Sequence, residues 1–480
     1  MSDFETIRSI IDAKQPLFED TAKKIWNLAE LRFEETKSSK LLSEILEQEG
    51  FKLTYNVAGL STAFTASYGS GSPVISFLGE FDALSQLSQK PEIPHQEPIQ
   101  AGESGHGCGH HLLGTGALAA AVTVRHYLDK HQLSGTVRFY GCPGEEGGSG
   151  KAFMAREGVF DDIDTAITWH PGSYNGIWAV ESLANYQVSF RFKGKASHAA
   201  ASPHLGRSAL DAVELMNVGV NYLREHMIDE ARVHYSIVNS GGLSPNVVQP
   251  EAEVLYLVRA PEISQVDALF KRVEKIAKGA ALMTETTFEI HFEKGCSNFI
   301  RNHVLEEQMA AAFQTVPLAI YTDEEQSFAK AIQKSITEEE RTGFFNDIKE
   351  MLPDNQKQLI HSLEEKDLLE DVIPTTSKKG KNIGSTDVGD VSWIAPTVQC
   401  FTTCFTVGTP FHTWQMVTQG VSTAAFKGMR QASLVMADTA IRLFESPELV
   451  DQAKKELHSK LDKTPYVCPI PKGVTPSLVK

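Results

Sequence analysis

Four histidine or cysteine residues fall within six positions, His106, Cys108, His110 and His111, on the glycine-rich run 105–111. A thiolate and an imidazole two positions apart can point at one centre, because the intervening glycines allow the bend that adjacent ligands require. A buried cysteine beside turn histidines would not need so dense a cluster. Cys108 and His110 therefore read as metal ligands.

Some 35 residues on, the apolar run 136–142 ends in Pro143, Gly144, Glu145, Glu146, Gly147 and Gly148. Adjacent glutamates are most often a solvated acidic patch. Flanking glycines and a preceding strand pattern favour chemistry instead: neighbouring carboxylates on a loop cannot face the same way, so one can bind metal while the other takes a proton from water. His170 closes another apolar run, 166–170, and His412 lies in the loop 408–413. Each is a neutral nitrogen donor suited to a first-row metal, and each gains weight only beside the other motifs. His198, Asn246 and Arg259 offer an imidazole, an amide and a guanidinium for an oxyanion or a carboxylate. From the residues alone, polar groups on a solvated surface account for those three somewhat better than function does.

Residues so far apart in sequence need a scaffold that gathers them. Helical spacing of apolar residues runs over 4–31, with a break expected at Pro16, and an amphipathic helix over 36–49 is stopped by Gly50. Extended runs follow at 51–57, 61–68 and 73–79, with 69–73 reading as a hairpin turn. A helix at 112–130, a strand at 136–142, a short helix at 150–156 and a strand at 165–169 then alternate. That rhythm implies a largely parallel α/β sheet, whose ligands collect at the C-terminal ends of its strands.

Between 186 and 294 the order becomes βαββαβ, that of a ferredoxin-like unit able to fold as an inserted domain. The expected organisation is a catalytic domain formed by 1–185 and 295–480, interrupted by an inserted domain at 186–294. Residues 320–380 read as a charged, helix-prone insertion with a mobile stretch near Ser377–Asn382. An apolar helix at 420–444 should pack on the main sheet, and a proline-bearing tail ends the chain.

The formal net charge of −16 over 480 residues argues against nucleic acid or an anionic membrane as a partner. The N-terminus lacks a signal-like apolar core, and the most apolar segment, 112–124, is too short to span a bilayer. Six scattered cysteines read as reduced thiols, and the expected location is cytoplasmic.

Taken in order, His-x-Cys-Gly-His, Gly-Glu-Glu-Gly, a strand-end His, Ser-His-Ala-Ala-x-x-Pro-His-x-Gly-Arg, Gly-Ser-Thr-Asp-Val-Gly-Asp-Val-Ser and a final Pro-x-His cover nearly the whole chain. Together they resemble the metal-dependent amidohydrolase branch of the aminoacylase and glutamate-carboxypeptidase metallopeptidase family. The resemblance implies a zinc-peptidase-like α/β catalytic domain and a ferredoxin-like lid that also dimerises. It further implies two divalent metal ions, Mn²⁺ or Zn²⁺. Cys108, His110, Glu146, His170 and His412 fall on its ligand positions, and Glu145 falls on its general base. His198 matches the lid histidine that stabilises the oxyanion, while Asn246 and Arg259 match lid residues that bind the substrate's carboxyl end.

The substrate so implied is an N-acyl amino acid, p-aminobenzoyl-glutamate first among them, a folate breakdown product. The partner so implied is a second copy or a homologous subunit. Two positions depart from the pattern. Glu80 stands where many relatives carry a ligand histidine, leaving Asp82 as an orienting group, and His111 stands where an aspartate is usual.

Three rivals are weaker. A hydrolase of other N-acyl amino acids or dipeptides would share every motif and differ only in substrate. A non-catalytic partner subunit would have no use for Glu145. A cysteine hydrolase would place nucleophile and base poorly on one glycine turn and leave Glu145, Glu146, His170 and His412 without work.

Overall fold

The computed structural model describes residues 4–374, 380–381, 384–462 and 464–478. Apart from 380 and 381, the stretch near Ser377–Asn382 lies outside the described residues. The chain begins with α1 (Phe4–Leu28), α2 (Thr36–Gln48), β1 (Lys52–Tyr55), β2 (Phe64–Ser70), β3 (Val74–Glu80), α3 (His110–His131) and β4 (Gly135–Cys142). A one-turn element α4 (Glu145–Gly148), α5 (Gly150–Arg156), β5 (Thr165–Gly172), β6 (Gly176–Ile177) and β7 (Val180–Glu181) follow. Next come β8 (Ala184–Lys193), α6 (Ala209–Leu223), β9 (Arg232–Asn239), β10 (Glu251–Ala260), α7 (Ile263–Thr284) and β11 (Thr287–Cys296). The remainder is α8 (His303–Thr315), α9 (Asp323–Gln333), α10 (Glu338–Met351), α11 (Ile360–Glu364), β12 (Gly380–Lys381), α12 (Val388–Ser392), β13 (Thr397–Thr403), α13 (Trp414–Gln419), α14 (Thr423–Glu445) and α15 (Pro447–Leu461).

A seven-stranded mixed sheet in the order β1-β2-β4-β3-β5-β13-β6 forms the centre. Its middle strands β4, β3, β5 and β13 run parallel. The outer pairs are antiparallel. The turn at 69–73 is not a hairpin, because β4 lies between β2 and β3. Burial explains the difference: six of the seven β3 residues are buried, as a central strand demands, whereas β2 alternates and suits a place nearer the edge.

Helices α1, α3 and α14 pack together, with α3 and α14 also against the sheet. Helix α3 is built of small residues and buried along most of its length. Its Gly114 approaches β3 so closely that a Cβ there would lie 2.4 Å from the Glu80 carbonyl oxygen. That approach sets the first residue of α3, His110, beside the end of β3. Pro16 does not break α1. Its ring angle fits a helix at the loss of one hydrogen bond. The apolar stripe Ile7, Ile11, Phe18, Ala22 and Ile25, buried in the main core, continues through it.

A second sheet, antiparallel throughout, has the order β11-β8-β10-β9, as a βαββαβ unit requires. Helices α6 and α7 cover one face, with Val213, Met216 and Val273 in one core with the strand residues Val188, Phe190 and Tyr256. The end of β11 lies against the turn 145–148. Within 320–374, α10 and α11 bury a small cluster of their own that includes Phe345, Ile348 and Leu363. No helix among the described residues is long and apolar enough to cross a membrane.

Candidate metal centre

Parallel strands end on one side of a sheet, and the chemical residues collect there. Glu80 ends β3, Glu145 and Glu146 follow β4, His170 lies near the end of β5, and His412 sits in the loop after β13. Cys108 and His110 arrive on the loop that leads into α3. Gly109, at φ 79°, turns the backbone between them. His412, at φ 62°, holds a conformation uncommon for a side-chain-bearing residue, and its N–H donates to the Gly107 carbonyl at 2.8 Å.

Among the described residues the donor atoms form three overlapping groups, within each of which all lie inside 4.8 Å of one another. One is Cys108, His110 and His170, a second is Cys108, Glu146 and His412, and a third is Glu80, His110 and Glu145. Cys108 Sγ stands 3.5 Å from His170 Nε2, and His412 Nε2 stands 3.1 Å from Glu146 Oε1. His170 Nδ1 donates to the Pro171 carbonyl at 2.9 Å, which leaves Nε2 with its lone pair toward Cys108. His110 Nδ1 lies 2.9 Å from Asp82 Oδ1, and Asp82 Oδ2 accepts the Glu146 N–H at 2.8 Å. Such carboxylate support orients an imidazole whose other nitrogen binds a metal.

The four-residue cluster on the glycine turn divides in two. His106 Nε2 meets the Ile25 carbonyl at 3.1 Å and His111 Nε2 the Gly420 carbonyl at 2.7 Å. Both rings are buried against the helices, away from the donors, so only Cys108 and His110 face the centre. His111, in the place of the usual aspartate, ties the start of α3 to the chain just ahead of α14.

Burial and then Glu146 push the Cys108 thiol well above its usual range. Burial, then Glu80 and Glu146, do the same to the Glu145 carboxyl. Glu146 itself is held down to about 2: burial opposes its ionisation, but His412 and His110 outweigh it. Burial and the neighbouring His110 lower His170 to about 4, so it is a neutral nitrogen donor. Two buried donor-set atoms, His110 Nε2 and Glu146 Oε1, make no well-aligned hydrogen bond, with Glu80 Oε2 at 3.3 Å from the first and His412 Nε2 at 3.1 Å from the second. Sulfur, imidazole nitrogens and a carboxylate that converge without well-aligned hydrogen bonds fit a divalent metal.

Other residues to which the sequence reading gave no role support the centre. Lys151, fully buried at the start of α5, contacts Glu80 Oε1 at 2.5 Å and Asp387 Oδ1 at 2.7 Å. Asp387 belongs to the Gly-Ser-Thr-Asp stretch before α12, a motif to which sequence reasoning attached no role. Arg32 Nη1 donates to the Gly147 carbonyl at 2.7 Å and its Nε to the Ser477 carbonyl at 3.2 Å, which ties the turn after the glutamates to the chain's last described residues. Glu35, buried and pushed up to about 8 chiefly by that burial, accepts the Gly144 N–H at 2.8 Å.

Among the described residues no hydrogen bond or ion pair joins His198, Asn246 or Arg259 to the donors. His198 is exposed, with Nδ1 accepting from the Ala200 and Ala201 N–H groups, and the Asn246 carbonyl accepts the Ala199 N–H nearby. Arg259, on β10 opposite Asn185, keeps a buried Nε without a hydrogen-bond partner. Asn185 in turn faces Cys296 at the end of β11, the strand that meets the glutamate turn.

Residues 77–366 match the family model for peptidase family M20/M25/M40. The chain is 51% identical to one of the subunits of p-aminobenzoyl-glutamate hydrolase of Escherichia coli strain K12, with 99% of each chain covered. The chain belongs to peptidase family M20/M25/M40. As an M20 member it is a metal-dependent amidohydrolase with a mixed α/β fold. Xaa-Arg dipeptidase of Mus musculus is 28% identical, with 92% of this chain and 89% of the relative covered. Among solved structures, a dinuclear metal-binding M20 peptidase of Bacillus subtilis superposes with a TM-score of 0.55 at 16% identity, over 91% of this chain and 99% of that one. That likeness extends to the fold.

Proposed function

We propose that this M20 chain hydrolyses the amide bond of an N-acyl amino acid, p-aminobenzoyl-glutamate, to p-aminobenzoate and glutamate. The observation that carries the reading is the position of Glu145, a carboxylate of raised pKa that lies among the donors while Glu146 beside it faces Cys108 and His412. The substrate follows from the near-full-length similarity to the Escherichia coli hydrolase. The donors that would hold the metal are Cys108, His110, Glu146, His170 and His412. Cys108, common to two donor groups, supports two ions, Mn²⁺ or Zn²⁺. Bound there, divalent ions supply Lewis acidity at the scissile carbonyl and lower the pKa of water.

The chain's own residues do the rest. Glu145 accepts the proton of the attacking water and passes it to the leaving amine, a task for which a raised carboxyl pKa suits it. Asp82 holds the His110 ring, and with it one edge of the centre. His198 donates to the developing oxyanion, and Asn246 and Arg259 receive the substrate's α-carboxylate as the lid comes over the site. Arg259→Ala is expected to raise KM more than it lowers kcat, because the carboxylate is gripped in ground state and transition state alike. A variant that loses kcat at unchanged KM would remove Arg259 from that role.

The partner reading is a homodimer through the second sheet. Its edge strand β9 is open on one side and exposes Tyr235, Ile237 and Val238, and α6 exposes Val218 and Tyr222. Edges of this kind are templates for strand pairing. A hetero-oligomer with a homologous chain is the second reading, favoured because the Escherichia coli relative is named as one subunit of its enzyme. Six free cysteines support a reducing, cytoplasmic setting.

The direct test is release of p-aminobenzoate by the purified chain, metal-stripped and then refilled with Mn²⁺ or Zn²⁺, beside a panel of Xaa-Arg dipeptides. Metal-dependent release from p-aminobenzoyl-glutamate is the expected result. Cleavage confined to the dipeptides would replace the substrate, and activity that appears only on adding a homologous chain would replace the homodimer.

A further inference from the structure

Glu80 belongs to one of the three donor groups yet is occupied by something other than a metal. Its Oε2 lies 3.3 Å from His110 Nε2, the buried nitrogen that has no well-aligned hydrogen bond, so the carboxylate stands within reach of any ion held by His110. Its other oxygen, Oε1, is 2.5 Å from Lys151 Nζ. The Lys151 side chain is 0% exposed and also meets Asp387 Oδ1 at 2.7 Å, while Asp387 Oδ2 accepts the Lys151 backbone N–H at 2.8 Å. Asp387 thus fixes both ends of the lysine, whose ammonium is fully buried.

We infer that Lys151 is a positioning residue that keeps Glu80 out of the metal's ligand set and thereby sets the metal preference of the centre. The ammonium acts as a resident cation. The Oε1 contact fixes the orientation of the carboxylate, so moving Oε2 from its place 3.3 Å from His110 Nε2 to ligand distance would strain a charge-assisted contact in the buried interior, where such contacts are strongest. While Lys151 holds Glu80, the donors that remain around His110 are rich in sulfur and imidazole, a set that suits Zn²⁺. A freed Glu80 would add a hard carboxylate oxygen, the kind of donor that suits Mn²⁺. The inference rests on the metal reading above and is independent of the substrate.

The test is calorimetric titration of metal-stripped protein with Mn²⁺ and with Zn²⁺, without substrate, so a wrong substrate leaves it untouched. Lys151→Met is expected to shift the ratio of the two dissociation constants toward Mn²⁺ by about 10- to 100-fold, the usual scale for residues that support a metal's ligands. Lys151→Met/Glu80→Gln should restore the wild-type ratio, because the freed oxygen is gone. Glu80→Gln alone should leave both constants nearly unchanged. An unaltered ratio in Lys151→Met, a shifted ratio that persists in the double variant, or a more than tenfold loss of affinity in Glu80→Gln would each overturn the inference. Should Lys151→Met fail to fold, Glu80→Gln decides it alone.

Discussion

Glu145→Gln is expected to lower kcat by about 10²- to 10⁴-fold while metal content and KM stay near their wild-type values. Glutamine keeps the shape of the side chain and its place beside Glu146 but cannot take up a proton. The loss corresponds to about 3 to 5 kcal/mol of transition-state stabilisation. Burial and the neighbouring carboxylates Glu80 and Glu146 raise the Glu145 pKa, which strengthens its affinity for the proton it is to take up. Steady-state kinetics with metal analysis on the same preparation reads the outcome. A kcat within threefold of wild type would take the base away from Glu145, and a protein emptied of metal would make Glu145 a ligand instead.

His110→Ala is expected to lose metal affinity by more than about 100-fold and to fall to the activity of the metal-stripped chain. His110 contributes to two of the three donor groups, and its ring is the side chain through which Asp82 supports the centre. Alanine removes the Nε2 donor outright and leaves Asp82 with the Glu146 N–H alone. Asp82→Asn is the graded companion: it disturbs the orienting bond while sparing the donor, and a loss of about 10- to 100-fold is the usual scale for such supports. Metal titration of both variants, with circular dichroism to establish folding, checks the pair. Wild-type affinity in folded His110→Ala would place the metal elsewhere.

The elements around the site are largely legible from local pattern. Strand and helix periodicity places β3, α3, β4, β5 and the βαββαβ series, because each needs only a buried face of the right period. Pro16 and the 69–73 turn escape that reading for one reason: both depend on neighbours distant in sequence. A proline in α1 is tolerated because α3 and α14 hold the apolar stripe on either side of it. The expected hairpin is prised open by β4, some 60 residues further along the chain.

What the sequence determined by itself was the chemical inventory. A cysteine and a histidine on a glycine turn, two adjacent glutamates after a strand, and histidines after two more strands come together at the C-terminal ends of a parallel sheet, because strands that run the same way all end at one edge. Tertiary structure alone decided which members of that inventory face one another. His106 and His111 share the glycine turn with Cys108 and His110, yet they end on the Ile25 and Gly420 carbonyls because the packing of α1 and the chain ahead of α14 brings those oxygens to them. Lys151 reads as an ordinary helix lysine until the fold closes Glu80 and Asp387 around it, since burying a charge is favourable only where its partners are already in place.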